Sequence, residues 1–223
     1  MTAMKPDDLE TRREGAFMQA LAIEYGMLQG ARGATISESS SRSSLYLTTL
    51  SGAVIGLSFV AQASRFGQTF FIFALAIMPV VFFLGVVTYY RVLQTGVEDV
   101  IYARAISKIR EFYSEIDPTR ASFFRESSVD QVGLTSLGLF ALRWQQFLSA
   151  AALVAIVNAV VGGVFIAIAI FYFLEPPPLA TVGVGAMAAL LFSGAFLRHQ
   201  WTTWMHVAKA LPLSAKVHKK RPE

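Results

Sequence analysis

The chain has no cysteine. Disulfides, a thiolate nucleophile and cysteine-ligated zinc or iron–sulfur centres are therefore excluded. Charge is scarce: Asp, Glu, Lys and Arg make up 15% of 223 residues, against about 25% in an ordinary soluble domain. Only three histidines occur. His199 and His206 stand seven apart, about 10 Å along a helix, too far for one metal to bridge without other ligands. No short apolar region near the start marks a signal peptide. The first 44 residues are polar and carry both signs of charge, so insertion is expected to begin at an internal span.

What replaces charge is hydrocarbon. Apolar residues reach 54% of the chain, 18 of its residues are phenylalanine, and the mean hydropathy is +0.51. A soluble chain of this length has no interior large enough to hide so much apolar surface. An ordinary cytosolic enzyme, a disordered protein and a secreted disulfide scaffold are all poor fits.

The excess lies in four runs free of Asp, Glu, Lys, Arg and His: Leu45–Ala63, Thr69–Tyr90, Phe147–Phe173 and Leu179–Leu197. A helix of about 20 apolar residues crosses a hydrocarbon core of ~30 Å, so each run is long enough to span. None alternates with the two-residue period of barrel strands. The expected fold class is all-α: a polytopic integral membrane protein with four transmembrane helices in two hairpins, and amphipathic cytoplasmic helices. Pro79 removes one hydrogen bond from the second span and is expected to kink it. Tyr89, Tyr90, Trp144, Tyr172, Trp201 and Trp204 mark span edges, where amphipathic rings favour the headgroup level.

Every Lys and Arg except Arg65 falls outside the two short inter-span turns, Ser64–Gln68 and Leu174–Pro178. The positive-inside rule then places both termini and the central segment in the cytoplasm of a plasma (inner) membrane protein. Pro176-Pro177-Pro178 makes a stiff outer turn. The organisation reads as a cytoplasmic helical segment 1–44, a hairpin 45–90, a cytoplasmic helical segment 91–146, a second hairpin 147–197, and an interfacial helix with a basic tail, 198–223.

Within the cytoplasmic parts, Asp8–Leu28 reads as an amphipathic helix with Phe17, Leu21 and Leu28 on one face, loosened at its end by Gly30 and Gly33. Ser37–Ser44 is either a serine-rich linker or a surface helix feeding the membrane. Glu98–Ile116 carries Tyr102, Ala105, Ile106, Ile109, Phe112, Tyr113 and Ile116 at helical spacing, with its charges off that stripe. Asp117-Pro118 ends it. The stripe is expected to pack on the N-terminal helix or on the membrane surface. Leu134–Leu142 is a candidate interfacial elbow, and Trp201, Trp204, Met205, Ala208 and Leu211 form a further stripe. The two halves share a layout, span, short turn, span and arginine, without residue-level identity.

Motifs for chemistry are few. Gly183-Val184-Gly185-Ala186-Met187-Ala188 matches a dinucleotide fingerprint, but lies inside an apolar span rather than between a strand and a helix. Glu111 and Glu115 are one turn apart with no nucleophile or histidine near them in sequence, the pattern of a solvated face. No cofactor or metal site is expected, and nucleic-acid binding has no aromatic platform behind its basic charge. Lys216, Lys219, Lys220 and Arg221 suit anionic lipid.

Small residues are more informative. Gly52 and Gly56 form GxxxG on the first span. Ala151, Ala155, Ala159, Gly163 and Ala167 recur every fourth residue on the third, and Gly185 and Ala189 continue the theme on the fourth. Such residues let helices approach closely, either inside the chain or between copies. Asn158 lies mid-span and needs a partner. Ser51, Thr48 or another copy's Asn158 are the expected mates. No acid or base lies mid-membrane, which argues against a coupled transporter.

The expected function is a non-enzymatic scaffold or accessory subunit that touches membrane lipids and binds a protein partner or itself. The alternative is a homo-oligomeric channel or membrane-disrupting effector with a cytoplasmic sensing region. The charge asymmetry has a direct check. Reporter fusions after Gln68 and Pro177 are expected to read as exterior, and fusions after Glu115 and Glu223 as interior. An exterior signal at Glu115 would overturn the map.

Overall fold

A computed structural model describes residues 6–116, 119 and 149–210. All four elements among them are helices: α1 (Pro6–Ser64), α2 (Gln68–Ile116), α3 (Ala150–Leu174) and α4 (Pro178–Ala210). Each contains a stretch long and apolar enough to cross a membrane. The chain is an all-α, multi-pass membrane protein.

α1, α2 and α4 are longer than their apolar runs. α1 begins at Pro6, where a missing N–H costs nothing in a first turn. It continues unbroken through Gly30, Gly33 and Ser37–Ser44 into the first span. The serine-rich stretch is helix rather than linker, and the glycines do not end the helix. α2 likewise runs through Pro79 and on past the second span to Ile116. α4 carries through residue 198 with no break, so the fourth span and the stripe after it are one helix.

Two tight turns reverse the chain. After Ser64 the amide of Phe66 donates to the Ala61 carbonyl (3.0 Å) and that of Arg65 to Gln62 (3.3 Å). This is a Schellman closure with Arg65 and Phe66 in the left-handed region, φ 51° and 58°. Gly67 follows because a Cβ there would lie 2.8 Å from the Ser64 carbonyl oxygen. At the second turn Glu175 is left-handed (φ 49°), and its amide donates to Phe171 (3.1 Å). Pro178 then opens α4 with the φ a first helical turn requires.

The chain divides into two compact units. One takes α1 up to Ser41 and α2 from Gln94. Here the middle of the stripe expected on 98–116 packs on α1, while Ile116 at its end is exposed. Ile106 and Ile109 are buried (2% and 8% exposed), and the rings of Phe17 and Phe112 meet edge-on at 5.7 Å. Arg32 Nε donates to Asp99 Oδ1 at 2.8 Å. The Tyr25 hydroxyl accepts from Arg110 Nε (3.3 Å), Arg110 Nη2 (3.1 Å) and Gln29 Nε2 (3.1 Å). The Arg110 guanidinium holds the Tyr25 phenol below its usual range, against the opposing effect of burial.

The second unit takes the rest of α1 and α2 with α3 and α4. α2 buries Ala74, Met78, Val81, Gly85, Thr88 and Val92, a stripe at alternating steps of four and three, with Tyr89 buried beside it. α3 buries Val154, Ala155, Asn158, Ala159 and Val161 among others. Large apolar side chains such as Phe59, Phe83, Phe173, Leu190 and Leu191 point outward, as a hydrocarbon solvent allows.

The burial of Ile106 sets a stability test. Ile106→Asp places an unpaired charge in the α1–α2 contact, a loss expected to reach about 3 kcal/mol or more. Ile101→Asp, at a position 44% exposed, is expected to cost far less. Thermal unfolding in detergent compares the two; equal shifts would mean the stripe is not buried.

Candidate functional site

Among the described residues of the second unit, the most enclosed polar side chain is Asn158, which is 0% exposed. Its Oδ1 accepts a hydrogen bond from the Tyr46 hydroxyl at 3.0 Å. Tyr46 belongs to α1, Asn158 to α3, and both side chains are fully buried. Gly85 of α2 completes the arrangement: a Cβ there would collide with the Asn158 amide and lie 2.8 Å from the Tyr46 ring. Among the described residues no acceptor is within reach of Asn158 Nδ2. Three helices therefore close on one amide, and one of them contributes by having no side chain.

The mate of Asn158 is thus Tyr46, and the expected partners are corrected. Ser51 donates to the Leu47 carbonyl of its own helix (2.8 Å), and Thr48 is exposed. A second copy's Asn158 cannot reach a side chain enclosed within its own chain. The sequence reading missed Tyr46 because it sits one residue inside an apolar run, where a tyrosine resembles an interfacial anchor. Gly85 stood among large apolar neighbours and outside any small-residue pattern. A helical wheel would have placed it on the face of Met78, Val81 and Tyr89.

Below Asn158 the small residues of α3 and α4 meet. A Cβ on Gly163 would lie 2.5 Å from the Gly185 carbonyl oxygen and 2.7 Å from the Ala189 Cβ; one on Gly185 would lie 2.8 Å from the Ala167 Cβ. Gly162 makes room for two rings, since its Cβ would stand 2.6 Å from Phe82 and 3.0 Å from Phe192. Ala155, Ala159, Gly163, Gly185 and Ala189 are thus packing positions inside the chain rather than a face left for another copy. The fingerprint-like glycines serve the same contact through Gly185, whereas Gly183 faces open space. Gly52 and Gly56 behave differently: a Cβ on either meets nothing within 4 Å.

A second polar cluster joins α2, α3 and α4. The Tyr89 hydroxyl donates to the Phe196 carbonyl (2.8 Å) and lies 3.2 Å from His199 Nδ1. The His199 ring stands edge-on to Tyr90 at 5.1 Å. Gln200 Nε2 donates to Ser149 Oγ (3.1 Å), and that oxygen accepts from the Ala152 amide as the N-cap of α3. Tyr89 was expected to anchor at the headgroup level; it is wholly buried and ties helices together. Tyr90 is half-exposed. The carboxylates Glu111 and Glu115 are exposed. Lys216, Lys219, Lys220, Arg221, Trp144 and the Leu134–Leu142 stretch lie outside the described residues.

No protein family model, curated protein or solved structure matches the chain.

The Tyr46–Asn158 bond is open to a double-mutant cycle. Tyr46→Phe leaves a buried amide with no partner and is expected to cost about 1–3 kcal/mol. Adding Asn158→Leu removes the orphan and is expected to recover most of that loss. Gly85→Ala is expected to cost more than Tyr46→Phe, because helix backbones must part. Thermal unfolding in detergent measures all three. Additive losses in the double variant would mean the two side chains do not interact.

Proposed function

We propose that the protein is a non-enzymatic scaffold or accessory subunit of the inner (plasma) membrane, and that its cytoplasmic helices bind a protein partner. Both termini lie in the cytoplasm on this reading, which rests on the concentration of Lys and Arg outside the two inter-span turns. The polar groups of the membrane-spanning unit are engaged in holding helices: Tyr46 with Asn158, Tyr89 with Phe196, Gln200 with Ser149. These inter-helix bonds support a structural role for them.

One observation carries the partner reading. In the charge-bearing unit, Ile101, Phe112 and Ile116 of α2 stand exposed on one helix face, and Phe17 of α1 joins them through its contact with Phe112. Their neighbours Glu98, Lys108 and Glu115 keep that surface soluble at its rim. An apolar patch rimmed by charge, outside the apolar runs, is the usual form of a protein-binding surface.

Ile101→Glu combined with Ile116→Glu tests this reading. Both positions are exposed, so insertion and thermal stability in detergent are expected to stay close to the unaltered chain. A protein co-purifying in fixed stoichiometry is expected to be lost. Retention of that protein by the double variant would sink the proposal, and steady ion flux through liposomes holding the unaltered chain would favour a channel instead.

A further inference from the structure

In each of the two units α1 carries a periodic exposed face. Ala16, Ala20, Ile23, Met27, Gly30, Ala34, Ser37 and Ser41 follow one another at steps of four and three, and every one is exposed in the first unit. The second unit has the same pattern: Ser44, Thr48, Ser51, Ile55, Ser58 and Gln62, again all exposed. In sequence the register passes from one stretch to the other without a skipped residue. No position in either stretch is charged, although Glu24, Arg32, Glu38 and Arg42 lie among them.

Neither stretch suits the solvent around it. In the charge-bearing segment the seam presents Ile23 (58% exposed) and Met27 (66% exposed). In the apolar segment it presents three serines, a threonine and a glutamine. Ser51 and Ser58 donate to the carbonyls of Leu47 and Val54 at 2.8 Å, yet their oxygens still face outward. The face of α1 that packs within the chain is the opposite one, through Leu21, Tyr25, Leu28, Arg32 and Thr35 in one unit and Tyr46, Leu50, Ala53 and Leu57 in the other.

A strict repeat of seven is the spacing at which two helices supercoil about each other, and small residues in it allow close approach. We propose that α1 packs in parallel and in register against α1 of a second copy of this chain along this seam. The occupant has to carry a charge-bearing stretch followed by an apolar one in the same heptad register, and α1 of a second copy inserted in the same orientation meets that condition at every position. The flanks agree. Glu24 and Glu38 occupy one edge of the seam, while the other edge has Gln19, Gly26, Gly33 and Ser40. Parallel pairing sets each acid against an uncharged edge, whereas antiparallel pairing would bring the acidic edges together. Gly52 falls beside Ser51 on the acid-bearing edge, which accounts for a glycine that packs on nothing within the chain.

The absence of native cysteine gives a clean test. Ile23→Cys and Ser51→Cys place thiols at equivalent core positions of the seam, one in each stretch; Ala22→Cys and Thr49→Cys are exposed positions off it. Each full-length variant is oxidised in native membranes and run without reductant. The expected result is a reducible band at twice the chain's mass for Ile23→Cys and Ser51→Cys, and its loss for Ala22→Cys and Thr49→Cys. No such band at either seam position, a band at only one of them, or equal bands at all four would each overturn the parallel in-register pair. The surface around Ile101 and Ile116 is untouched by these variants, so partner binding and self-association fail independently.

Discussion

A single amide placed in hydrocarbon constrains much of the membrane-spanning unit. Asn158 cannot be hydrated at mid-span, and an unmade hydrogen bond there costs several kcal/mol. The chain answers with Tyr46 from α1, which reaches in to donate at 3.0 Å. Gly85 of α2 must then stay bare, because any side chain would occupy the space of the amide. Once these three helices are fixed around one point, the fourth is placed by the glycine contacts of α3, Gly163 against Gly185. The apolar residues of the core, Val81, Val154, Ala155 and Val161, fill the space that remains.

Burial in this unit runs opposite to a water-soluble interior. Its most enclosed side chains include Tyr46, Asn158, Tyr89 and Gln200, while Phe59, Phe83 and Leu190 face out. In water that arrangement would be unstable. In lipid, apolar side chains gain little by meeting each other, and helix association falls to close packing and hydrogen bonds. Small residues and a few polar ones therefore hold the centre. The same logic makes hydroxyls on an outward face notable, since lipid offers them nothing.

The four spans were legible because lipid imposes a length and a composition that a one-dimensional scan can find. The stripe ending at Ile116 was legible because one face of a half-buried helix leaves a period in the sequence. Tyr46 and Gly85 were not, for a different reason. Their roles come from what another helix brings opposite them, and Asn158 is more than a hundred residues distant from Tyr46 in the chain. The alanines and glycines of α3 were visible as a packing face, but the sequence could not say whether the matching surface belonged to the same chain. Gly185 and Ala189 settle that for Gly163.

The continuity of α1 was the least legible feature. Gly30, Gly33 and the run Ser37–Ser44 each lower intrinsic helix propensity, glycine by about 1 kcal/mol relative to alanine. Read alone, they describe a loosening helix and a linker. What overrides them is regularity on the inward face: Leu21, Tyr25, Leu28, Arg32 and Thr35 return at steps of four and three, and Arg32 is held by Asp99 and Tyr25 by Arg110. A helix supported at every turn along one side tolerates weak formers on the other. Gly30, Gly33, Ser37, Ser40, Ser41 and Ser44 are exposed on that other side, while Ser39 and Ser43 are partly buried. Propensity and packing pull in opposite directions along this segment, and the long-range contacts of α2 decide the outcome.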